Sequence, residues 1–100
     1  MSDKGWRQLL GLMQRAGKLV TGEELVVKSI QNKKVHLVIV ASDASNNTTK
    51  KITDKCTYYN IPYIIFENRF AIGQAIGKAE RVAIAVQDKG FANKFRSMIE

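Results

Sequence analysis

Val35-His36-Leu37-Val38-Ile39-Val40-Ala41-Ser42-Asp43-Ala44-Ser45 is the stretch that decides the fold. Apart from His36, residues 35–41 are aliphatic and mostly β-branched, with no polar alternation. That pattern predicts a central strand covered on both faces, which requires helices above and below a sheet. Toward the N-terminus, Thr21-Gly22-Glu23-Glu24 reads as a capping box, with Thr21 at the N-cap and Glu24 reaching back. The helix it opens runs to about Asn32, with Leu25, Val26, Ser29 and Ile30 inward. Lys18-Leu19-Val20 has room only for a very short strand. Before it, Trp6, Leu9, Leu10, Met13 and Ala16 repeat at helical spacing, and Gly17 stops that helix. Toward the C-terminus, Asp43 or Ser45 caps a helix whose inner stripe is Thr48, Ile52, Cys56 and Tyr59. Asn60–Phe66 is a turn into a strand, with Pro62 at its start, where a missing N–H is tolerated. Asn68 caps a short helix carrying Ile72, Ala75 and Ile76 and ending at Gly77. Arg81–Val86 is a strand, and Asp88 caps a last helix with Phe91, Phe95, Met98 and Ile99 on one stripe. This alternation predicts an α/β fold: a three-layer α/β/α sandwich around a four-stranded mixed sheet flanked by about five helices. No linker, low-complexity segment or repeat interrupts it, so residues 1–100 are expected to form a single domain.

Composition narrows the function. Hydrophobic residues at 45% and charged residues at 25% indicate a packed globular chain rather than disorder. The longest apolar runs, Leu37–Ala41 and Val82–Val86, are strand-length, far short of a membrane span. Met1-Ser2-Asp3-Lys4-Gly5-Trp6-Arg7 is charged and leads into no apolar signal segment. A single cysteine allows no internal disulfide, and a cytoplasmic protein with no membrane partner is expected. Lys and Arg outnumber Asp and Glu, 16 against 9, for a net charge of +7 spread over both halves of the chain. A folded domain with that excess attracts polyanions, of which nucleic acid is the common one; a merely solubilising surface is the plain alternative.

The residues that carry chemistry elsewhere are sparse here. His36 is the single histidine, lies within the strand pattern and has no constellation around it. Cys56 sits on an apolar helical stripe, which predicts a buried, inert thiol. Asp43, Asp54 and Asp88 fall in three separate segments and are explained as caps or surface charges. Gly17 and Gly22 bracket a loop of phosphate-binding length, but Gly22 is followed by Glu23 rather than by Lys and Ser or Thr, so it is no P-loop. Neither catalysis, a cofactor nor a metal is expected.

One further segment is informative: Gly11-Leu12-Met13-Gln14-Arg15-Ala16-Gly17-Lys18-Leu19-Val20-Thr21-Gly22-Glu23-Glu24-Leu25-Val26-Val27-Lys28. With Ala16-Gly17-Lys18, then Gly22, then Glu23-Glu24-Leu25 and Lys28, it resembles the ribosomal protein L-seven-Ae family, which binds kink-turn RNA. Lys34–Ser45 is similar to that family's central strand and the loop after it. Cys56 with Asn60-Ile61-Pro62-Tyr63 resembles its helix end and strand entry, and Ile72–Gly77 its next helix. The similarity covers about residues 6–88, and Asp88–Lys94 is similar to a bacterial branch of the family.

The resemblance implies a partner, structured RNA bent at sheared G·A pairs, ribosomal RNA among the candidates, with no DNA expected. The chemistry agrees. Sheared pairs open a groove that ordinary A-form RNA keeps too narrow for side chains. Gly22 lets backbone approach closely, and the helix N-terminus beside Thr21, Glu23 and Glu24 offers free N–H groups and a positive dipole end. Lys28, one turn on from Glu24, reaches a guanine acceptor edge or a phosphate. Lys18, Lys33 and Lys34 are assigned to flanking phosphates, and Lys78 and Arg81, in the charged loop Gly77–Arg81, to RNA backbone. An ionised Glu24 only accepts hydrogen bonds, and Leu25 makes none, which predicts weaker direct base readout than in archaeal and eukaryotic members with Asn and Glu there. Taken without the resemblance, the same residues read as a capped helix with a Glu24–Lys28 ion pair. Two other functions stay open on the residues alone: a protein-binding adaptor with only non-specific RNA affinity, and a small-ligand or enzymatic domain.

Overall fold

The computed structural model describes residues 3–99. Met1 and Ser2, the start of the N-terminus read above as lacking a signal segment, lie outside them. The order is α1 (Asp3–Arg15), β1 (Leu19–Thr21), α2 (Glu23–Gln31), β2 (Leu37–Val40), α3 (Asn46–Tyr58), β3 (Tyr63–Ile65), α4 (Arg69–Ala75), β4 (Ala83–Val86) and α5 (Lys89–Ile99). The strands form one sheet in the order β1-β4-β2-β3. β4 runs antiparallel to both neighbours, with Leu19 opposite Val86 on one side and Leu37 opposite Val86 on the other, while β2 and β3 are parallel. The expected mixed four-stranded sheet and five helices are both present among the described residues.

The strand period of two assigns alternate side chains to two cores. Leu37, Ile39, Ile84 and Val86 pack under α1, α4 and α5 with Trp6, Leu10, Met13, Ile72 and Phe95. Val38, Val40, Ala83 and Ala85 pack under α2 and α3 with Val26, Ile30, Ile52 and Cys56. β2 is buried along its whole length, as its uninterrupted aliphatic run requires. On β4 the residues in the α2 core are the alanines Ala83 and Ala85, small side chains that leave room for α2.

Caps account for most boundaries. Ser45, rather than Asp43, caps α3 by accepting from Thr48 N–H at 3.1 Å. Asn68 caps α4, and Asp88 accepts from Phe91 N–H at the start of α5. Asp43 instead accepts from Arg69 N–H and Nε, joining the β2–α3 loop to α4. Four helices stop in the same way, with a positive φ at Gly17, Lys33, Asn60 and Gly77 and the next N–H bonded back to the fifth carbonyl before it.

Two expectations fail. Thr21 is not the N-cap of α2: it is the last residue of β1, paired with Ile84, and Gly22 holds the cap position with no side-chain bond. Strand pairing across the sheet takes Thr21 away from the helix it was assigned to. Leu25 does not point inward; it is 58% exposed, because α2 buries the stripe Val26, Ser29 and Ile30.

Candidate nucleic-acid interface

β1 and α2 meet at Gly22, whose N–H donates to Ala83 O at 3.1 Å, fixing the turn to β4. Its φ of 95° and ψ of 147° lie in a region that is open essentially only to glycine. A Cβ at Gly22 would meet no atom within 4 Å, so the space beside it faces outward. The first N–H of α2 with an intrahelical partner is that of Val26, bonded to Gly22 O at 2.9 Å. The N–H groups of Glu23, Glu24 and Leu25 have no partner among the described residues, and no side chain caps them. They leave an exposed helix terminus with partial positive charge.

Beside this terminus lies a cleft of about 430 Å³, bounded by β1, α2, the loop after α4 and the end of β4. Among the residues named from the sequence, Thr21, Lys28, Lys34, Lys78 and Arg81 line it, and none of its lining residues is acidic. None of Lys18, Lys28, Lys33, Lys34, Lys78 and Arg81 has a carboxylate partner among the described residues. Glu24 and Lys28 make no ion pair either, so the i,i+4 bridge read from their spacing is absent and both side chains are exposed. Leu25 forms an apolar patch on the wall between Thr21 and Lys28.

The loop Gly77–Arg81 is held rather than free. Lys78 N–H donates to Gly73 O and Arg81 N–H to Arg69 O. Gly73 packs against the Glu80 backbone so closely that a Cβ would lie 2.5 Å from Glu80 Cα. Arg81 then reaches back to the sheet, donating from Nε to Thr21 Oγ1 at 3.3 Å, and so ties the loop to β1 at the edge of the cleft.

The remaining sequence candidates separate. Lys18 is exposed just before β1 and does not line the cleft; its carbonyl accepts from Gln87 N–H. The left-handed turn at Lys33, φ 57°, parts the adjacent lysines, so that Lys34 lines the cleft and Lys33 does not. Glu23 faces the opposite way, toward α3, where it pairs with Lys51 at 3.0 Å and accepts from Thr48 Oγ1 at 2.9 Å. The Lys51 and Thr48 contacts hold its carboxyl below the usual carboxylate range. Sequence reasoning missed Gln14, Asn32 and Gln87, which also line the cleft. Asn32 and Gln87 are uncharged and outside any motif, and Gln14, although inside the Gly11–Lys28 segment, is at none of the positions its pattern marks, so they carried no signal in the sequence.

The cysteine and the histidine weighed in the sequence both lie away from the cleft lining. Burial pushes the Cys56 thiol up to about 11, so it stays protonated in its core. His36 is exposed, and no cluster of metal-ligating side chains occurs among the described residues. No described helix is long and apolar enough to cross a membrane.

A family model described as the ribosomal protein L7Ae/L30e/S12e/Gadd45 family matches residues 4–96. The chain belongs to that family. Over 100 residues, all of both chains, it is 52% identical to RNA-binding protein YlxQ of Bacillus subtilis (strain 168). It is 48% identical over 92 residues to RNA-binding protein YlxQ of Enterococcus faecium, covering 92% of this chain and 88% of that one. A solved structure from Bacillus halodurans C, described as a protein with unknown function, is 53% identical with a TM-score of 0.91, covering 94% of this chain and 95% of that one. These similarities make it a YlxQ-type member of the family, the bacterial branch that Asp88–Lys94 resembles.

Proposed function

We propose that the chain works as one domain, a non-catalytic RNA-binding protein that recognises kink-turn RNA and holds it bent, acting in the cytoplasm in association with the ribosome or translation. The observation that carries this reading is the pairing of an uncapped α2 N-terminus at Gly22 with an acid-free cleft lined by Lys28, Lys34, Lys78 and Arg81. The names of its relatives, RNA-binding protein, and the family's description as ribosomal support it.

In this reading the groove opened by sheared G·A pairs receives the α2 terminus, and Gly22 allows the backbone to approach. The free N–H groups of Glu23, Glu24 and Leu25 donate to phosphate or base-edge acceptors. Lys28 addresses a guanine edge from the cleft wall, while the exposed Leu25 packs against bases or sugars. Lys34, Lys78 and Arg81 inside the cleft, with Lys18 and Lys33 at its margins, meet phosphates and fix position rather than sequence. Because the bent conformer alone fits both surfaces, binding shifts the RNA toward it.

A fluorescence titration with a kink-turn RNA, beside a copy whose G·A pairs are replaced by Watson–Crick pairs, tests the proposal. Tight binding to the first and weak binding to the second is expected. The exposed Leu25 favours one other reading, an adaptor whose α2 face binds protein. That reading predicts equal, weak binding to both RNAs, and only at low salt.

A further inference from the structure

We propose that the RNA-binding surface extends past the α2 cleft onto a second basic groove between α1 and α4, which takes the phosphate backbone of one duplex stem beside the kink. The inference rests on the reading just given. The groove, about 350 Å³, is lined by Arg7, Gln8, Gly11, Arg15, Gln74 and Ala75. No acidic residue lines it, and neither Arg7 nor Arg15 has a carboxylate partner among the described residues.

The groove exists because its floor is small. Gly11 lies inside α1, where glycine is unfavourable relative to alanine. A Cβ there would come within 3.3 Å of Ala75 O, so the glycine permits the close approach of α1 and α4. The Arg15 guanidinium lies over the same glycine, its Nη1 3.5 Å from that Cβ position. Arg7 is held from the other side, its guanidinium 4.7 Å from the centroid of the Trp6 ring, which is anchored in the core. Two charges are thus pre-positioned, with the amides of Gln8 and Gln74 in the same lining to donate to phosphate oxygens.

Continuity with the first cleft gives the groove its occupant. Gln14 lines the α2 cleft and Arg15, the next residue, lines the α1–α4 groove. Likewise Gln74 and Ala75 line the groove, and Lys78, just past the Gly77 turn, lines the cleft. Both depressions therefore lie along the end of α1 and the end of α4 with the turn after it. A polyanion leaving the cleft past Lys78 enters the groove without crossing a carboxylate of its lining. Polar amides, unpaired guanidinium groups and shallow relief suit a regular ribose-phosphate backbone, which is recognised by charge and position.

The test uses the full chain and kink-turn RNAs whose two stems are shortened in turn. For the wild type, shortening one stem is expected to weaken binding several-fold, and shortening the other to have little effect. The Arg7→Gln/Arg15→Gln variant is expected to bind the long-stem RNA several-fold more weakly and to lose the stem-length dependence. The slope of its log affinity against log salt should fall by about one per arginine removed. Because Arg7 supports Trp6, Gln74→Glu supplies a second variant: it is exposed, nearly isosteric, and places a carboxylate in the groove. It should weaken long-stem binding and leave short-stem binding unchanged. If all three proteins prefer the kink-turn to its Watson–Crick copy but share one salt slope and one stem-length dependence, the groove is not part of the interface. If the wild type itself fails to prefer the kink-turn, the functional reading falls first and this extension falls with it.

Discussion

Replacing Gly22 by alanine tests the origin of the α2 terminus. At φ 95° and ψ 147° an L-residue is strained by about 1–3 kcal/mol. The added methyl meets nothing within 4 Å, so no packing penalty contributes and the cost is purely conformational. Alanine also restricts the unfolded chain, which offsets about 0.4–1 kcal/mol. The net loss is then roughly 1–2 kcal/mol, which for a chain of this size lowers Tm by about 5–15 °C. Urea unfolding followed by far-ultraviolet circular dichroism gives the free energy, and a thermal melt gives Tm. RNA affinity should fall as well, because relaxing the strain turns the N–H groups of residues 23–25 off their common direction. A variant with wild-type stability and wild-type affinity would refute both the strained glycine and its part in the interface.

Other outcomes follow from neighbouring residues. Lys28→Ala should weaken kink-turn binding by about 1–3 kcal/mol while leaving Tm unchanged, measured by titration and melt together. Gly73→Ala drives a methyl into the Glu80 backbone; overpacking should cost about 1–3 kcal/mol, and NMR should show loop residues 77–81 displaced. Lys33→Gly relieves a left-handed lysine and should stabilise the fold by about 0.5–1 kcal/mol with only a small loss of RNA affinity, since Lys33 lies outside the cleft. Glu23 has its folded pKa lowered by Lys51 and Thr48, so its contribution is present above the ordinary carboxylate range and is lost as pH falls through the depressed value. Glu23→Gln should therefore flatten the acid side of a Tm-against-pH profile and leave the alkaline side alone.

Much of the fold was legible because its signals are local. The aliphatic run of β2 requires burial on two faces, and Ser45, Asn68 and Asp88 precede helices whose first N–H groups they satisfy. The glycine stops at Gly17 and Gly77 are equally local. What failed depends on partners distant in sequence. The capping box at Thr21–Glu24 was a sound local pattern, but pairing with Ile84 on β4 drew Thr21 into the sheet and passed the cap to Gly22. Leu25 fits a helical stripe as well as Val26 does, and only the position of α2 over Ala83 and Ala85 decides between them. For the site, the sequence indicated the lysines but not their grouping. The left-handed turn at Lys33 separates two adjacent lysines, while the Gly73–Glu80 contact brings Lys78 and Arg81 beside α2. Glu23 is drawn to α3 by Thr48 and Lys51, a partnership no nearby residue announces.

In the proposed function, bent RNA lands on the open end of α2. A titration of the nitrogen-15-labelled protein with kink-turn RNA, followed amide by amide, addresses it at the atoms concerned. The largest shifts are expected at the amides of Gly22, Glu23, Glu24 and Leu25, with smaller ones at Lys28, Lys78 and Arg81 and almost none along α3. Large shifts confined to α3 and β3, with residues 22–25 silent, would contradict it.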